Sequence, residues 1–518
     1  MHNGTHQFDL SLEAFLVEGE LEIEATYAAA LFSAARIDEL LADLTALLDT
    51  VATAPHTRLC ELPARDWPVA VPEPVPAAGP VPVTSAGVRE RSAERRIRGL
   101  MAELLECDEI AADRDFFAMG GNSLLATRLV AQVRAALGAD ISVRSVAEYR
   151  TASALAAAVE AAGQSAGWRT VTPAGSGVRR ALSVAQHALW FLYQASGPAP
   201  DYNVAFARRL SGPLDVPALR QALVDLVARH EVLRATVTET GGIPEHTVLD
   251  TGRALDAGAG LRIRPSSNLD GELAEELRYR FALHREPAFR PVLLQPNRAE
   301  NDGDGSGEHV LLLLLHHMVA DEWSESVLFD DLRTAYRARY AGVEPTFAPL
   351  AVSYGDHARW QRAALEGPEL ARQREFWAER LAELPEEIPL PTDRARPREP
   401  SAAGAAVRIP MPRPVLAALR GLAVHAGTTP FVVWHALVAL LLSRNGAGTD
   451  IPLGTPVSGR GSVSLHGVVG MFVNTVVLRA DLAGNPTFAE LVTRLAAADL
   501  AAFDQQDLPF ERVVDLLD

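Results

Sequence analysis

The fold is decided by the stretch His309-Val310-Leu311-Leu312-Leu313-Leu314-Leu315-His316-His317-Met318-Val319-Ala320-Asp321. Residues 310–315 are apolar without interruption, which is typical of a strand buried on both faces of a sheet. Two histidines end that strand, and Asp321 follows just before a helix that we predict at residues 323–332. Helical and strand patterns alternate through residues 178–518, so we predict an α/β domain of two lobes.

The histidine pair is the strongest candidate for chemistry in this stretch. A general base must be neutral near the working pH and must reach the proton that it removes, and histidine meets both needs. His317 precedes a turn, so its side chain can point into a cleft between the lobes. Two alternatives stay open: His316 and His317 are satisfied histidines of the core, or they bind a metal ion with Asp321. Because adjacent strand residues point to opposite faces, the metal site is disfavoured.

A second signature lies nearly two hundred residues earlier, at Asp115-Phe116-Phe117-Ala118-Met119-Gly120-Gly121-Asn122-Ser123-Leu124. Ser123 follows two glycines at the predicted start of a helix, and the glycines permit a tight turn that leaves the hydroxyl unobstructed. The partial positive charge of a helix N-terminus favours a phosphodiester on that oxygen. Serine is also a common helix cap, so a purely structural Ser123 is the alternative. The complete string, inside a region of helical pattern, favours a carrier of a covalent group.

Composition excludes several classes of function. The chain has 518 residues, of which 48% are hydrophobic and 22% charged, so it can form large cores. Its net charge of −18 argues against a nucleic-acid-binding surface, which needs clustered Lys and Arg. Its two cysteines, Cys60 and Cys107, lie far apart and suggest neither a disulfide framework nor a zinc site. No targeting or membrane-spanning segment is visible, and we expect a cytoplasmic protein.

The first two parts of the chain are a small folded segment and a linker. Residues 1–63 alternate apolar and polar side chains at positions 8–15 and 20–27, which predicts a β-hairpin, and show helical spacing at 34–51. These elements bury too little core to fold alone, so we expect them to pack on another domain. Residues 64–87 contain six prolines and form a semi-rigid linker.

The remaining parts are a helical region at residues 88–163, a linker at 164–177 and the large domain at 178–518. The helical region shows helical patterns near 92–105, from Ser123 onward and at 153–161. In the large domain we predict a helix at 217–229, a strand near 232–237, and strands at 292–295 and 309–315 joined by an exposed loop at 301–307.

Residues 88–163 resemble the peptidyl carrier (thiolation) domain of nonribosomal peptide synthetases, through the string at 115–124. The resemblance implies a small four-helix bundle in which Ser123 bears 4′-phosphopantetheine, added by a separate phosphopantetheinyl transferase. The terminal thiol would hold an aminoacyl or peptidyl thioester. Asn122 stands where His or Asp is often found in this family.

Residues 178–518 resemble the condensation domains of the same synthetases, which have a chloramphenicol-acetyltransferase-like fold. The string His316-His317-x-x-x-Asp321 matches one of seven family motifs, and the other six occur in order. They are Ser183-Val184-Ala185-Gln186-His187-Ala188-Leu189-Trp190, Arg229-His230-Glu231-Val232-Leu233-Arg234, Tyr354-Gly355-Asp356-His357-Ala358-Arg359-Trp360-Gln361-Arg362, Gly454-Thr455-Pro456-Val457-Ser458-Gly459-Arg460, Gly470-Met471-Phe472-Val473-Asn474-Thr475 and Gln506-Asp507-Leu508-Pro509-Phe510-Glu511.

This second resemblance implies an N lobe at about residues 178–348 and a C lobe at about 349–518. A donor thioester enters the cleft from one face and an acceptor thioester from the other, and the acceptor α-amine attacks the donor carbonyl near His317. His317 either takes the proton or positions the amine. The implied catalytic residues are His317, His316 and Asp321; the tunnel or structural candidates are Glu322, Arg234, Arg460 and Asn474, and either arginine is a candidate partner of Asp321.

Glu322 departs from the family pattern, in which glycine usually follows the aspartate. A carboxylate beside the tunnel would narrow it or change how the amine is positioned. Related non-catalytic platform domains, which recruit tailoring oxygenases, also have an acidic residue there, but they typically lose a histidine that this chain keeps. We therefore favour an active acyltransferase that forms peptide bonds. The alternatives are a non-catalytic platform that recruits a tailoring enzyme or partner, and acyl transfer to a hydroxyl acceptor.

The two ends of the chain add further expectations. Residues 1–63 resemble the C-terminal tail of another condensation domain, and residues 178–518 stop just past the seventh motif, so we expect that domain to be C-terminally truncated. We expect a cut-out of a longer synthetase, or else a tail that completes a neighbour's fold by swapping. The implied partners are an adenylation domain, in cis or in trans, and a downstream carrier domain that presents the acceptor.

Overall fold

The computed structural model describes residues 8–17, 20–62, 92–121, 123–139, 141–161, 170–174, 181–296, 309–385, 387–398, 401, 403–411 and 413–517. These residues form a small helical bundle and a larger unit of two lobes that contain both helices and sheets. The bundle and each lobe have a separate hydrophobic core. The predicted combination of a helical bundle with a two-lobed α/β domain is confirmed.

The N-terminal segment, residues 8–62, is a β-hairpin followed by a long helix. Strands β1 (Leu10–Val17) and β2 (Glu20–Ala28) are antiparallel, and helix α1 spans Ala34–Thr53, so the predicted hairpin and helix are confirmed. The Ser33 hydroxyl accepts a hydrogen bond from the Arg36 amide and caps α1. The apolar stripe of α1 is buried, as its spacing predicts, and consists of Ile37, Leu40, Leu41, Leu44, Leu47, Leu48 and Val51.

The next unit is a bundle of four helices, which we call the carrier bundle. It consists of α2 (Ser92–Leu104), α3 (Ser123–Leu137), α4 (Val143–Glu148) and α5 (Ala152–Ala161). The three helices that have a sequence pattern are confirmed, whereas α4 is too short to show a period. The buried residues of this core all lie between Ala93 and Val159 in the described chain, so the bundle has an independent interior.

The N lobe follows the carrier bundle and contains five α-helices and six strands in its described residues. In chain order they are α6 (Val184–Ser196), β3 (Asn203–Leu210), α7 (Val216–Arg229), β4 (Ala235–Thr240), β5 (Ile243–Val248), α8 (Thr251–Ala254), β6 (Arg262–Ser266), α9 (Leu269–Glu276), β7 (Phe289–Pro296), β8 (His309–His316) and α10 (Glu322–Tyr340). Two further helices, α11 (Tyr354–Leu365) and α12 (Pro368–Arg380), come next, and the buried side chains of α12 share a core with residues 476–513.

The main sheet of the N lobe places the histidine-ended strand in its interior. The strand order is β3-β8-β7-β6, and β8 is antiparallel to both of its neighbours. Every residue of β8 after His309 is buried, so the predicted doubly buried strand is confirmed. The strand predicted near 232–237 starts later, because Glu231–Arg234 forms a 3₁₀ turn that reverses the chain after α7. The loop predicted at 301–307 lies outside the described residues.

The C lobe combines the last part of the chain with the N-terminal segment. Its elements are β9 (Gly404–Met411), α13 (Arg413–His425), α14 (Pro430–Leu442), β10 (Asp450–Val457), β11 (Asn474–Asp481), α15 (Phe488–Phe503) and α16 (Phe510–Val514). Strand β9 pairs with β2, which gives a three-stranded sheet in the order β1-β2-β9. Helix α1 packs on α13 and α14 and shares their core.

One helix pair of the C lobe is apolar enough to be compared with a membrane-spanning segment. Among the described residues no single helix is long and apolar enough to cross a bilayer. The pair Arg413–His425 and Pro430–Ala447 passes only when taken together, and it is bent by 107°. In this fold α14 lies in the core of the C lobe.

A segment between β10 and β11, residues 458–473, crosses from the C lobe into the N lobe; we call it the crossing segment. Its Leu465, Val468 and Phe472 belong to the N-lobe core. Two glycines permit its close approach. A Cβ on Gly470 would lie 2.0 Å from the Tyr354 ring, and one on Gly459, where φ is +63°, would lie 1.8 Å from a backbone oxygen.

Candidate functional site

His316 is the last residue of β8, and it faces the core. Its side chain is buried, and its Nδ1 accepts a hydrogen bond from the Met318 amide at 3.1 Å. Burial, assisted by the charge of His317, lowers the pKa of His316 to about 3, so this ring stays neutral. A neutral ring that accepts at Nδ1 carries its proton on Nε2. This geometry gives His316 a part in shaping the turn after β8.

His317 has the opposite tautomer and a partly exposed side chain. Its Nδ1 lies 2.9 Å from the carbonyl oxygen of Ala320, which can only accept, so Nδ1 carries the proton. In the neutral ring, Nε2 then has a free lone pair. The His317 amide donates to the Tyr202 carbonyl at 2.7 Å and fixes the backbone at this point. His317 is therefore the histidine of the pair that is arranged to accept a proton.

Asp321 closes the turn and caps α10. Its Oδ1 accepts hydrogen bonds from the Ser324 amide at 3.0 Å and the Ser324 hydroxyl at 2.7 Å, and Ser324 in return accepts from the Asp321 amide. Its Oδ2 accepts from the Phe472 amide at 3.0 Å. Only 3% of Asp321 is exposed. These bonds support an architectural role for this carboxylate.

Of the two arginines that the sequence offers to Asp321, the structure pairs Arg460 with it. Arg460 Nη2 lies 3.0 Å from Asp321 Oδ1, and Arg460 Nη1 donates to the carbonyls of Leu465 and Val468 at 2.7 and 2.6 Å. Arg460 is only 1% exposed, and burial lowers its pKa. Arg234 lies in the N lobe and donates to the Leu249 carbonyl at 2.6 Å.

Residues that are distant in sequence converge on the turn at residues 317–321. Gln186, from the first motif, donates from Nε2 to the Met318 carbonyl at 2.7 Å. Arg460 and Phe472, from the fifth and sixth motifs, hold Asp321. The turn that carries His317 is thus fixed by the N lobe and by the crossing segment. The part played by Ser324 was missed from the sequence, although Asp-x-x-Ser before a helix is a capping signal.

Glu322 is the first residue of α10, and it is exposed. Desolvation, the negative charge of Glu322 and that of Glu24 together raise the pKa of Glu13 on the N-terminal hairpin. Glu13 on β1 stands opposite Glu24 on β2, and Glu24 pairs with Arg408 on β9. Glu13, Glu24 and Arg408 thus form a row of charged residues across the three strands.

Asn474 joins the sixth and seventh motifs. Its Nδ2 donates to the carbonyls of Gln506 and Leu508, both at 2.8 Å, and its Oδ1 accepts from the Phe510 amide at 2.9 Å. All of these partners are backbone groups, so the amide side chain fixes the path of the chain between α15 and α16. The hydrogen bonds of Asn474 therefore support a structural role.

Ser123 is the first residue of α3, and the turn before it suits a phosphate ester. Gly120 has a φ of +108°, and a Cβ on Gly121 would lie 2.5 Å from the Phe116 ring, so both positions require glycine. Helix α3 has fifteen residues and no acidic residue in its first turn, so its N-terminus favours an anion. Asp115 accepts from two amides of the same turn and from Arg150, which fixes the loop. The backbone is arranged as a phosphopantetheine attachment site requires.

The carrier bundle contacts both lobes of the large domain. Helix α3 packs on the 3₁₀ turn Val463–Leu465 of the crossing segment, and α4 packs on α15. Arg150 donates to the Gly427 carbonyl of the C lobe at 2.9 Å. Desolvation by burial raises the pKa of Asp504, which follows α15. Through the described part of the chain, no group of three or more His, Cys, Asp or Glu side chains is placed to hold a metal ion.

Comparison with known families matches both parts of the chain. Residues 179–518 match the family described as the condensation domain. Residues 95–159 match the family described as the phosphopantetheine attachment site, so the carrier bundle is of the type that bears covalent 4′-phosphopantetheine. The predicted order of carrier and condensation domain is confirmed.

Similar full-length proteins are nonribosomal peptide synthetases. A dimodular nonribosomal peptide synthase of Bacillus subtilis is 41% identical over 451 residues, which cover 85% of this chain and 18% of that protein. CymA of Salinispora arenicola, a probable non-canonical nonribosomal peptide synthetase, is 42% identical over 439 residues, which cover 83% of this chain and 5% of that protein. The chain thus spans less than a fifth of the length of either relative.

Solved structures show the same architecture. The X-domain from teicoplanin biosynthesis is 30% identical, with a TM-score of 0.57 over 67% of this chain and 75% of that chain. The first condensation domain of the calcium-dependent antibiotic synthetase is 22% identical, with a TM-score of 0.55 over 66% of this chain and 78% of that chain, and it supports the chloramphenicol-acetyltransferase-like fold. The chain belongs to the condensation-domain family and carries a phosphopantetheine attachment domain ahead of its condensation domain.

Proposed function

We propose that this chain is a peptide-bond-forming segment of a nonribosomal peptide synthetase, acting in the cytoplasm. Ser123 is the attachment residue of the carrier bundle, and the condensation domain transfers the acyl group held there to the amine of an aminoacyl thioester. Its partners are a phosphopantetheinyl transferase, an adenylation domain and a downstream carrier domain that presents the acceptor.

The observation that carries this proposal is the hydrogen bonding of His317. Because Nδ1 donates to the Ala320 carbonyl, the lone pair of Nε2 is left for a proton or an N–H group of the substrate. Its half-buried position admits a substrate while the turn around it is fixed by the N lobe and by the crossing segment. His316 is engaged at Nδ1 and buried, so it supports the turn.

In the proposed reaction, His317 Nε2 holds or takes up a proton of the attacking acceptor amine. A C–N bond forms to the donor carbonyl carbon, the C–S bond of the donor breaks, and the amine proton ends on the departing thiolate. When bound, 4′-phosphopantetheine supplies a flexible arm that ends in a thiol able to hold acyl groups. Most of the acceleration comes from holding donor and acceptor together at His317, because proximity contributes more than proton transfer alone.

We also propose that the N-terminal segment is a condensation-type tail that serves as part of the C lobe. The pairing of β2 with β9 and the shared core of α1, α13 and α14 support this assignment. Residues 88–163 and 178–518 are then the carrier and condensation domains, with N and C lobes that divide near residue 348.

A single-turnover assay tests the proposed reaction. A phosphopantetheinyl transferase loads Ser123 with a peptidyl group, aminoacyl thioesters are offered as acceptors, and intact mass reports the product. His317→Ala should slow the reaction by roughly 100- to 10,000-fold, and Ser123→Ala should abolish loading. His425→Ala, which changes an exposed histidine of α13, is the matched control and should retain the wild-type rate. A rate that survives His317→Ala would refute the assignment.

A second candidate function is a non-catalytic platform. The observations that favour it are the 30% identity to the teicoplanin X-domain, which has also been solved in a complex with OxyB, and the acidic Glu322 after Asp321. In this case the loaded chain gives no product with any acceptor, yet it retains OxyB in size-exclusion chromatography. Glu322→Gly separates the two candidates further, because turnover gained by this variant would identify Glu322 as the block.

A further inference from the structure

We propose that Arg128 of the carrier bundle is a positioning residue that seats the bundle on Trp323 of the condensation domain. The inference rests on the proposed function and adds to it the contact that aligns the carrier with the active site. Trp323 is the second residue of α10, so it directly follows Asp321 and Glu322 at the end of the turn that holds His317.

The contact is one layer of a stack of cations and aromatic rings. The Arg128 guanidinium carbon lies 4.0 Å from the centre of the Trp323 ring. Arg460 lies 5.5 Å from the centre of the same ring and 3.9 Å from that of Phe472. Since Arg460 is the ion-pair partner of Asp321, the stack leads from the carrier bundle to the group that fixes the active-site turn.

The Trp323 ring is also held by contacts within the condensation domain. Its indole Nε1 donates to the His466 carbonyl at 3.1 Å, and its ring also contacts the His466 ring, with centroids 5.3 Å apart. Burial lowers the pKa of His466 to about 4, so a second positive charge does not face Arg128 near neutral pH. The ring therefore offers one fixed face to an incoming guanidinium.

Arg128 is poorly explained by any role inside the carrier bundle. Its side chain is half-buried, and within the described residues its Nε is buried without a hydrogen-bond partner. Burial lowers its pKa. A guanidinium gives up hydration at such a place only when another interaction offsets the loss, and the face of a tryptophan is the strongest aromatic partner for a cation.

Because of its position along α3, the contact of Arg128 with Trp323 helps to orient the carrier bundle on the condensation domain. Arg128 lies five residues after Ser123, which corresponds to about 7.5 Å along the helix axis. Arg150 and the packing of α4 on α15 hold the bundle to the C lobe, so Arg128 supplies the fixed point on the N lobe. Three separated contacts determine the orientation of the bundle, and the one beside Trp323 lies nearest to Ser123 in sequence.

The test uses the full chain and two measurements. Hydrogen exchange, read by mass spectrometry, reports protection of the Val463–Leu465 turn and of the first turn of α10. Single-turnover rates are measured with the donor on Ser123 and, separately, with the same acyl group on soluble N-acetylcysteamine. Arg128→Ala should deprotect both segments and lower the carrier-delivered rate by roughly 3- to 30-fold more than the soluble-donor rate. Arg128→Lys should restore part of the loss, because it keeps the charge but not the flat fork.

The matched control is Arg96→Ala, which removes an exposed arginine from α2 and should change neither measurement. Combining Arg128→Ala with Trp323→Phe should give a smaller total effect than the product of the two single effects. The proposal is overturned if Arg128→Ala leaves exchange and the ratio of the two rates at their wild-type values. If the wild-type chain forms no product by either route, the proposed function fails, and the exchange measurement alone decides whether Arg128 seats the carrier.

Discussion

The two lobes of the condensation domain are assembled in different ways. Among the described residues, the core of the N lobe comes from residues 171–354 together with four residues of the crossing segment. The core of the C lobe takes 15 of its 36 buried apolar residues from the N-terminal segment and the others from residues 411–495. His317 thus stands in the lobe that is nearly continuous in sequence, whereas the lobe facing it depends on pairing between distant parts of the chain.

The largest effect should follow from deleting residues 8–62. Helix α1 alone buries seven large side chains at about 1.5–3 kcal/mol each, which is comparable to the entire stability of a domain at roughly 5–15 kcal/mol. We expect hydrogen-exchange protection to disappear from β9 and α13–α15 and to persist in β8. As a control, a protease site placed in the 64–87 linker should leave protection intact after cleavage. Persistent protection of α14 in the deletion variant would show that the C lobe folds alone.

The next effect tests the connection between the lobes. Arg460→Met removes the ion-pair partner of the buried Asp321 carboxylate. The free energy of unfolding, measured in urea, should fall by about 3–5 kcal/mol because a buried charge is left without its partner. The double variant Arg460→Met with Asp321→Leu should be less destabilised than the sum of the two single variants. Additive effects would mean that the pair does not couple the lobes.

A matched pair of cavities sharpens the comparison. Leu44 in α1 and Leu312 in β8 are both fully buried, one in each lobe. Leu44→Ala and Leu312→Ala should each cost about 2–5 kcal/mol. Hydrogen exchange should place the first loss in the C lobe and the second in the N lobe. Equal deprotection of both lobes by either variant would indicate that they unfold as one cooperative unit.

The smallest effect concerns charge at the hairpin. The pKa of Glu13 is raised, so the ionised form is penalised in the folded protein; this penalty is complete above the raised pKa and vanishes as the pH falls below the unfolded value. Glu13→Gln should therefore stabilise the chain by about 0.5 kcal/mol at pH 7 and have no effect near pH 3. Thermal unfolding at both pH values measures the difference. A larger gain at pH 3 would contradict the assigned cause.

Local patterns predicted the elements well because their physical causes lie within a few residues. The stripe of α1 from Ile37 to Val51, the alternation in β1 and β2, and the apolar run of β8 all appear in the structure at the predicted places. The strand near 232–237 was misplaced at its start because a turn and a short strand share the same apolar residues.

Long-range pairings could not be predicted in the same way. The sequence indicated that the N-terminal segment needs another domain, but the edge of β9 on which it pairs has no local signal. Both Arg234 and Arg460 were candidates for Asp321, and the pairing across 139 positions depends on the crossing segment. Trp323 was visible only as a helix residue, since its contact with Arg128 exists only after two units fold and meet.

The chain leaves the C lobe and comes back to the large domain at fixed points. The Leu62 carbonyl accepts a hydrogen bond from Arg444 at 2.7 Å; beyond the carrier bundle, Arg359 binds the Thr172 carbonyl at 2.6 Å, and Asp356 accepts from the Ala174 amide. The carrier bundle is topologically an insertion, because the chain is attached to the large domain both before and after it. The local concentration of the bundle at the large domain is therefore set by two linkers at once. The bundle can reach another binding site only within the span of the shorter linker.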